Sequence, residues 1–290
     1  VERRGAAVKM RVTFEQAIDL LGEGKVVAVP TETVYGLAAR LDRPAAIEEI
    51  FALKRRPKIN PLIIHISDRS DCNLFVTSFP PDFDRLAASF WPGPLTCILP
   101  VNAAVPSVVR AGLSTAGFRI PSHPLTRELL KHTGPLVMPS ANLSGRPSST
   151  RADHVEEDFG AAFPVLEGGV CARGVESTIV LHRNEKWEIV RLGSLSPESF
   201  VPVLGYRPAV ISKEDKEKPI CPGQLFRHYA PRAHLILGDS LKREEAPFIL
   251  GFRERSYGGS ARVMVLGSLF SAEEVAENLY AALRQLDVEG

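Results

Sequence analysis

Short apolar runs alternate with amphipathic segments along this chain, and that alternation restricts the fold more than any other feature of the sequence. Runs this short fit buried strands better than helices. The predicted strands are VVAVP (26–30), LIIHI (62–66), LTCILP (95–100), GFRI (117–120), LVMPSA (136–141), STIVLHR (177–183) and WEIVRLG (187–193). Helices are predicted at 14–21, 44–54, 81–90 and 124–132, the first opened by a capping box of Thr13 and Gln16. The last two strands suit a hairpin, so the sequence predicts an open, twisted, mixed α/β sheet.

The character of the sequence changes after Gly205. Residues 206–232 contain four prolines, a charged stretch and no lasting periodicity, which indicates a linker. Beyond it, HLILG, FILGF and ARVMVLG predict short strands, and Ser271 with Glu274 predicts a capped helix. We therefore expect one domain over 11–205, a linker over 206–232, and a smaller βαβ, Rossmann-like domain over 233–290.

Composition argues against several classes of protein. The 290 residues are 44% hydrophobic, and no apolar run approaches the roughly 20 residues of a membrane helix. The first residues lack the apolar segment of a signal peptide, so a cytoplasmic protein is expected. The four cysteines show no metal-ligand spacing and are predicted to be reduced packing residues. A formal net charge of +1, from 35 basic and 34 acidic residues, argues against a protein that coats nucleic acid.

Against this neutral background, the segment KRRPKINPLIIHI (54–66) begins with four cations in five positions. A solvated helix end or a basic localisation patch is the plain alternative. Lys54 falls in the last turn of a predicted helix, and two prolines restrict the loop that follows. Lys54, Arg56 and Asn60 are therefore predicted to converge on one place, where a fork of Lys and Arg donors would suit a polyphosphate.

Polar segments beside the strands supply further candidates. PTETVYGLAA, PSANLSGRPSST and GVESTIV are rich in hydroxyl groups, which suit either ordinary turns or a nest for phosphate and ribose oxygens. His65 is either a core histidine or a catalyst. Arg119, within an apolar strand, needs an anionic partner from the protein or from a ligand. Cations and hydroxyls outnumber candidate bases, which favours phosphoryl or nucleotidyl transfer over acid–base hydrolysis.

Several of these segments together resemble one family. In chain order, PTETVYGLAA, KRRPKINPLIIHI, WPGPLT, FRIPSHP, PSANLSGRPS and GVESTIV are similar to the YrdC-type threonylcarbamoyl-AMP synthases, and PGQLFRHYAP resembles the linker of their two-domain form. The resemblance covers residues 13 to about 286 and implies a YrdC-like catalytic domain over 11–205. It also implies the synthesis of threonylcarbamoyl-AMP and pyrophosphate from L-threonine, bicarbonate or CO2, and ATP, for tRNA modification by a separate transferase.

The resemblance implies roles for individual residues as well. Lys54 and Arg56 are implied to be the catalytic pair. The residues implied to bind ATP are Lys54, Arg56, Asn60, Thr115, Ser140, Asn142, Thr150, Arg191 and Tyr229. Those implied to bind threonine are Thr33, His65, Arg119 and Ser177. Tyr229 lies in the linker, which is thereby expected to act as a lid, and Mg2+ is expected on the phosphates without protein ligands.

Two other functions stay open. An RNA-binding module could use the concave positive surface of a YrdC-like fold, and its binding would weaken steeply with salt. A carbamoyl-transfer accessory similar to the YrdC-like segment of hydrogenase maturation proteins would need acylphosphatase and zinc-finger segments, which are absent from these residues. Two-domain synthases usually continue past the last predicted helix with another strand and a basic helix, so a truncated or unusually small C-terminal domain is expected.

Overall fold

The computed structural model describes residues 9–211, 221–222, 229–236, 247–257 and 262–289. Its helices are α1 (Phe14–Gly22), α2 (Pro44–Lys54), α3 (Phe83–Phe90), α4 (Pro124–Thr133), α5 (Ala152–Phe159), α6 (Val201–Leu204) and α7 (Ala272–Glu289). Its strands are β1 (Arg11–Val12), β2 (Val27–Val29), β3 (Gly36–Arg40), β4 (Ile63–His65), β5 (Leu95–Pro100), β6 (Thr115–Arg119), β7 (Leu136–Val137), β8 (Val165–Leu166), β9 (Thr178–Arg183), β10 (Lys186–Arg191), β11 (Phe248–Phe252) and β12 (Arg262–Gly267).

Ten strands form one large sheet in the order β1-β8-β2-β3-β7-β4-β6-β5-β9-β10. Strands β4 and β6 are parallel, as are β5 and β9, whereas β3 and β7 and the hairpin of β9 and β10 are antiparallel. A second sheet contains the parallel pair β11 and β12. These pairings confirm the predicted mixed α/β fold with a small second sheet.

The helix ends follow from local sequence. The Thr13 hydroxyl accepts a hydrogen bond from the Gln16 amide at 3.2 Å, and the Gln16 side chain accepts one from the Thr13 amide at 2.9 Å, which is the predicted capping box. Helix α2 begins at Pro44, and the left-handed backbone of Arg55, with φ of 51°, ends it directly after Lys54. That sharp exit places Lys54 and Arg56 on the two sides of a turn.

The large sheet presents two different faces. Successive side chains of a strand point to opposite faces, so Ile64 and Phe118 lie in the main core under α2, α3 and α5, whereas Ile63 lies on the other face. On that second face, α1 and α4 pack over β2, β3 and β7. Over β4, β5, β6 and β9 the second face instead carries a small apolar cluster that includes Ile63 and Cys221, beside a polar cavity.

Several elements were not predicted. Strands β1 and β8 contain two residues each, which is too short for an alternation to be recognised. Strand β3 begins at Gly36 inside a segment predicted to be a polar turn, and it pairs antiparallel with β2. Helix α5 follows directly on the serine-rich loop. In the second domain, the described part of HLILG, residues 234–236, lies outside any strand, and the rest of that run is outside the described residues.

Residues 206–211 and Cys221 of the predicted linker contact the large sheet. The Ile189 amide donates to the Ala209 carbonyl at 2.8 Å, and the Ile211 amide donates to the Ile189 carbonyl at 2.9 Å, so the chain continues alongside β10. Cys221 is buried against Ile63 and Ile98 of the sheet. This predicted linker therefore begins as an addition to the sheet edge, and its Cys221 packs on the second face.

Helix α7 packs closely on the loop before β9. A Cβ atom added to Gly174, whose φ is +65°, would lie 2.3 Å from the Ala276 carbonyl oxygen and 2.3 Å from the Glu277 Cα. Only glycine permits this approach of loop and helix. All four cysteines are buried, as predicted for packing residues. Within the described ranges, no helix is both long enough and apolar enough to cross a membrane.

Candidate active site

A polar cavity lies over the second face of the sheet, at the carboxyl ends of β4 and β6. Its walls come from the loop before β3, the end of α2, the loop after β7, the ends of β9 and β10, and the linker. The predicted site residues that line it are Thr33, Lys54, Arg56, His65, Arg119, Ser140, Asn142, Ser177, Arg191 and Tyr229. Segments far apart in sequence thus bring these predicted residues together.

The cationic segment 54–58 divides between the cavity and the surface. Lys54 and Arg56 line the cavity, whereas Arg55 and Lys58 are exposed and Lys58 pairs with Glu48 at 2.5 Å. Two of the four cations are therefore explained as ordinary surface charges. The other two belong to the cavity, as predicted.

Lys54 is 1% exposed and connects α2 to the loop after β7. Its Nζ donates to the carbonyl oxygens of Ser140 at 2.5 Å and Asn142 at 2.6 Å. Burial, reinforced by the charge of Arg56, lowers the pKa of Lys54 well below its ordinary value. The buried amine therefore fixes the position of the loop that carries Ser140 and Asn142.

Arg56 is held by the turn that it begins. Its Nη2 donates to the Pro61 carbonyl at 2.9 Å and its Nε to the Asn60 carbonyl at 3.3 Å. Burial, and then the charge of Arg191, lower the pKa of Arg56 to about 10, which leaves the guanidinium charged at neutral pH. Two neighbouring guanidinium groups in one cavity favour an anionic ligand between them.

Arg119 has a protein carboxylate as its partner. It is 4% exposed, and its Nη2 lies 2.6 Å from Oε1 of Glu32. Nε donates to the Gly93 carbonyl at 3.2 Å, and the second Glu32 oxygen accepts from the Ser122 amide at 3.0 Å. Among the described residues, Nη1 of Arg119 has no hydrogen-bond partner, so one edge of the guanidinium remains available to a ligand.

His65 lies directly beside Arg119, because the two residues are partners in the parallel pairing of β4 and β6. Its side chain is buried, and Nδ1 has no hydrogen-bond partner in the described structure. Burial and the charge of Arg119 hold the pKa of His65 well below its usual value, so the imidazole is neutral. A neutral imidazole can orient a polar ligand without adding charge.

Ser177 and Arg191 line the cavity beside the hairpin of β9 and β10. The Ser177 hydroxyl lies 2.8 Å from the Thr96 hydroxyl, and Nη2 of Arg191 donates to the Ser177 hydroxyl at 3.0 Å and to its carbonyl at 2.8 Å. A Cβ atom added to Gly193 would lie 2.3 Å from the Glu176 carbonyl oxygen, so the end of β10 approaches this turn closely. The hairpin thereby fixes both side chains.

Three predicted ATP-binding residues, Asn60, Thr115 and Thr150, do not line the cavity. Asn60 is buried behind the turn of Arg56, and Thr115 lies at the start of β6, opposite Pro100. The Thr150 amide donates to Nδ1 of His154 at 3.2 Å.

Two charged cavity residues, Arg146 and Glu176, were not assigned from the sequence, and neither was Glu32, the partner of Arg119. Arg146 lies in the serine-rich loop, and its Nε is buried without a hydrogen-bond partner among the described residues. Glu176 accepts hydrogen bonds from the hydroxyls of Ser148 and Tyr280. An arginine in a loop otherwise made of small polar residues was a signal for Arg146, whereas the partners of Glu32 and Glu176 are too distant in sequence to be inferred.

Tyr229 reaches the cavity from the linker. It lines the wall with Pro222, has a left-handed backbone with φ of 58°, and stacks on Tyr280 of α7 with ring centroids 5.7 Å apart. Burial raises the pKa of the Tyr229 phenol above its ordinary value. Its linker neighbours Arg227 and His228 lie outside the described residues.

Comparison with known proteins identifies the family. A family model for Sua5, YciO and YrdC, described as telomere recombination, matches residues 19–193, and a second, described as the C-terminal domain of threonylcarbamoyl-AMP synthase, matches residues 195–290. The threonylcarbamoyl-AMP synthase of Pyrococcus abyssi is 39% identical in an alignment of 294 positions, gaps included, that covers 94% of this chain and 85% of that protein. The corresponding protein of Bacillus subtilis is 38% identical, covering 94% of this chain and 84% of its own length. The chain belongs to the Sua5/YrdC family.

The Sua5/YrdC fold extends over both domains. The crystal structure of P. abyssi Sua5 complexed with L-threonine covers 97% of this chain and 89% of its own, with a TM-score of 0.87 and 35% identity. Membership of the Sua5/YrdC family confirms the resemblance inferred from the motifs. The second family model begins before the predicted linker and includes it.

Proposed function

We propose that this chain is a threonylcarbamoyl-AMP synthase, which forms threonylcarbamoyl-AMP and pyrophosphate from L-threonine, bicarbonate or CO2, and ATP. The observation that carries the proposal is one cavity with two cationic subsites. Arg119 with His65 forms the first, and Lys54, Arg56 and Arg191 form the second. A reaction that joins two anionic substrates needs two cationic subsites side by side. The relatives from P. abyssi and B. subtilis are both named threonylcarbamoyl-AMP synthase.

The first subsite is proposed to hold threonine. The open edge of Arg119 can pair with the substrate carboxylate, because Glu32 already fixes the other edge of the guanidinium. Thr33, His65 and Ser177 surround it with hydroxyl groups and a neutral imidazole, which suit the threonine amine and hydroxyl. The P. abyssi Sua5 crystal contains L-threonine, which supports this choice of ligand.

The second subsite is proposed to hold ATP. Arg56 and Arg191 supply positive charge for the triphosphate, and Lys54 joins them because a bound polyanion opposes the effect of burial on its pKa. Ser140 and Asn142 supply short polar groups. Asn142 Oδ1 is buried without a partner in the described structure, so it is available to accept a hydrogen bond from a nucleotide. Tyr229 supplies an aromatic surface at the rim. Asn60, Thr115 and Thr150 do not line the cavity, and their contact with ATP stays a prediction.

The chemistry proceeds in two steps. The threonine amine first combines with bicarbonate to give a carbamate and water. A carbamate oxygen then attacks the α-phosphorus of ATP, and the bond from that phosphorus to the pyrophosphate oxygen breaks. Lys54 and Arg56 act as the catalytic pair by stabilising the negative charge that accumulates during this displacement. The product is a mixed anhydride for a tRNA-modifying transferase, expected in the cytoplasm.

Mg2+ is proposed to accompany ATP. Within the described ranges, no cluster of three or more His, Cys, Asp or Glu side chains is arranged as metal ligands. Glu176 is a carboxylate on the cavity wall, but Ser148 and Tyr280 already donate to its two oxygens. Phosphate oxygens and water are therefore proposed as the ligands of Mg2+, which would neutralise part of the triphosphate charge.

The linker 206–232 is proposed to act as a lid. Pro222 and Tyr229 lie on the cavity wall, and Cys221 packs on the sheet face beside it. A segment in this position can shield a labile carbamate and mixed anhydride from water. The same placement explains why a proline-rich segment carries a partly buried aromatic residue.

Pyrophosphate release tests the proposed function. We expect the full chain with ATP and Mg2+ to release pyrophosphate only when L-threonine and bicarbonate are both present. Serine, which lacks the methyl group of threonine, serves as the matched control and should support a lower rate. Equal release without threonine would show that ATP is cleaved for another purpose.

A further inference from the structure

Helix α7 inserts a charged side chain into the catalytic domain. Arg284 is 2% exposed, and its Nη2 lies 2.9 Å from Oδ2 of Asp158 and donates to the Pro147 carbonyl at 2.8 Å. Nη1 lies 3.1 Å from Oε2 of Glu157. A fully buried guanidinium with carboxylate and carbonyl partners is a specific contact, because leaving any partner unpaired is costly.

Asp158 connects this contact to the cavity. The Asp158 side chain is fully buried. Its Oδ2 accepts from Nη2 of Arg284, and its Oδ1 accepts from Nη1 of Arg146. The Leu143 amide donates to Oδ2 of Asp158 at 3.0 Å. One carboxylate therefore holds Arg284 of the second domain, Arg146 of the cavity wall, and the backbone between Asn142 and Arg146.

A second contact from α7 reaches the same wall. The Tyr280 hydroxyl donates to Oε2 of Glu176 at 2.6 Å, while the Ser148 hydroxyl donates to Oε1. Nη2 of Arg284 also donates to the Ser149 hydroxyl at 3.2 Å, in addition to the Pro147 carbonyl. Residues 146–149 are thus held between α7 and α5.

We propose that Arg146 is a further phosphate-binding residue of the cavity and that Arg284 positions it through the shared carboxylate of Asp158. The inference rests on the proposed function. Arg146 lines the cavity. Its Nε is buried but donates no hydrogen bond to any described residue. Asp158 engages the opposite side of the same guanidinium, which leaves Nε to an anionic ligand. The C-terminal domain thereby completes the ATP subsite.

The test compares the KM for ATP with the KM for threonine in pyrophosphate release. Loss of one charge-assisted hydrogen bond predicts a KM for ATP raised about 10- to 100-fold in Arg146→Ala, with the KM for threonine little altered. Arg284→Ala should raise the KM for ATP by a smaller factor, because it leaves Arg146 present but less firmly held. The double variant should match Arg146→Ala alone, since both changes remove the same interaction.

Gln285→Ala is the matched control, because Gln285 is the exposed neighbour of Arg284 on α7 and pairs with Glu289 on the helix surface. Circular dichroism and the melting temperature establish that each variant is folded. If Arg284→Ala does not fold, Arg284→Lys keeps a charge beside Asp158 while removing the planar fork.

The outcomes separate the inference from the proposed function. A wild-type chain that needs no threonine for pyrophosphate release overturns the proposed function itself. A threonine-dependent wild type with an unaltered KM for ATP in Arg146→Ala overturns only the role of Arg146. Additive effects of Arg146→Ala and Arg284→Ala on the KM for ATP would show that the two residues act independently, against the positioning role.

Discussion

At the scale of single residues, the cavity depends on charges that have protein partners before any substrate arrives. Glu32 holds Arg119 at 2.6 Å, and both side chains are almost fully buried. Removing one member of a buried pair leaves the other charge unpaired, so its effect on stability is large. Arg56 differs, because backbone carbonyls rather than a carboxylate hold it.

This difference gives a prediction for the two subsites. Arg119→Ala should raise the KM for threonine and lower the free energy of unfolding by about 3 kcal/mol, because Glu32 is left buried without its cation. Arg56→Ala should instead raise the KM for ATP by about tenfold and cost less stability. Steady-state kinetics with each substrate varied, together with urea unfolding, measure both effects. Unaltered KM values in both variants would contradict the assignment of the subsites.

Sequence reasoning reached most of the cavity residues but few of their partners. The motif that carries Lys54 and Arg56 could be interpreted locally, since a helix end and two prolines determine it. The partner of Arg119 could not, because Glu32 lies 87 positions away in the sequence. The sequence did not predict a role for Arg146, because the loop around it has the composition of a flexible surface turn.

At the scale of elements, local signals predicted helix starts and long strands, and long-range pairing decided the rest. The capping residues Thr13 and Ser271 open helices as expected, the latter accepting from the Glu274 amide at 3.2 Å. Strands β1 and β8 exist because they pair with each other and β8 also pairs with β2. Two residues carry no periodic pattern, so such strands are visible only in the folded sheet.

The contact of α7 with the loop before β9 gives a prediction at this scale. Gly174→Ala should displace α7, lower the melting temperature and raise the KM for ATP, because the added methyl group overlaps the helix backbone. Gly169→Ala is the control: its φ of +79° is similarly strained for alanine, but nothing lies within 4 Å of the added atom. Thermal unfolding and kinetics compare the two variants. Equal effects would show that backbone strain alone, rather than the contact with α7, limits position 174.

At the scale of the whole molecule, the linker and the second domain complete a cavity that begins in the first. Tyr229 and Pro222 lie on its wall, and Tyr280 and Arg284 contact the residues that form it. The sequence predicted a catalytic domain, a linker and a second domain. It did not predict the contact of α7 with the cavity wall, because the sequence of α7 shows only an amphipathic pattern. A buried arginine in such a helix becomes informative once its partners are known.

Two truncated chains test this organisation. A chain ending at Gly205 and one ending at Ile211 should both fold and both lose most turnover, since neither contains Tyr229 or α7. The longer chain should be more stable by about 2 kcal/mol, because it keeps two backbone hydrogen bonds to Ile189 and the packing of Ile211. For a domain of this size that difference raises the melting temperature by about 4–8 °C. Full turnover in either truncated chain would show that the linker is only a tether.

The shared carboxylate of Asp158 has a thermodynamic consequence for the two domains. Energetic coupling between two sites is reciprocal, so whatever the docking of α7 adds to the affinity for a triphosphate, the triphosphate adds to the affinity of the domains for each other. Association of α7 with the catalytic domain and binding of the nucleotide then share one coupling free energy. Binding of the nucleotide in the cavity would therefore also strengthen the association of the C-terminal domain with the catalytic domain.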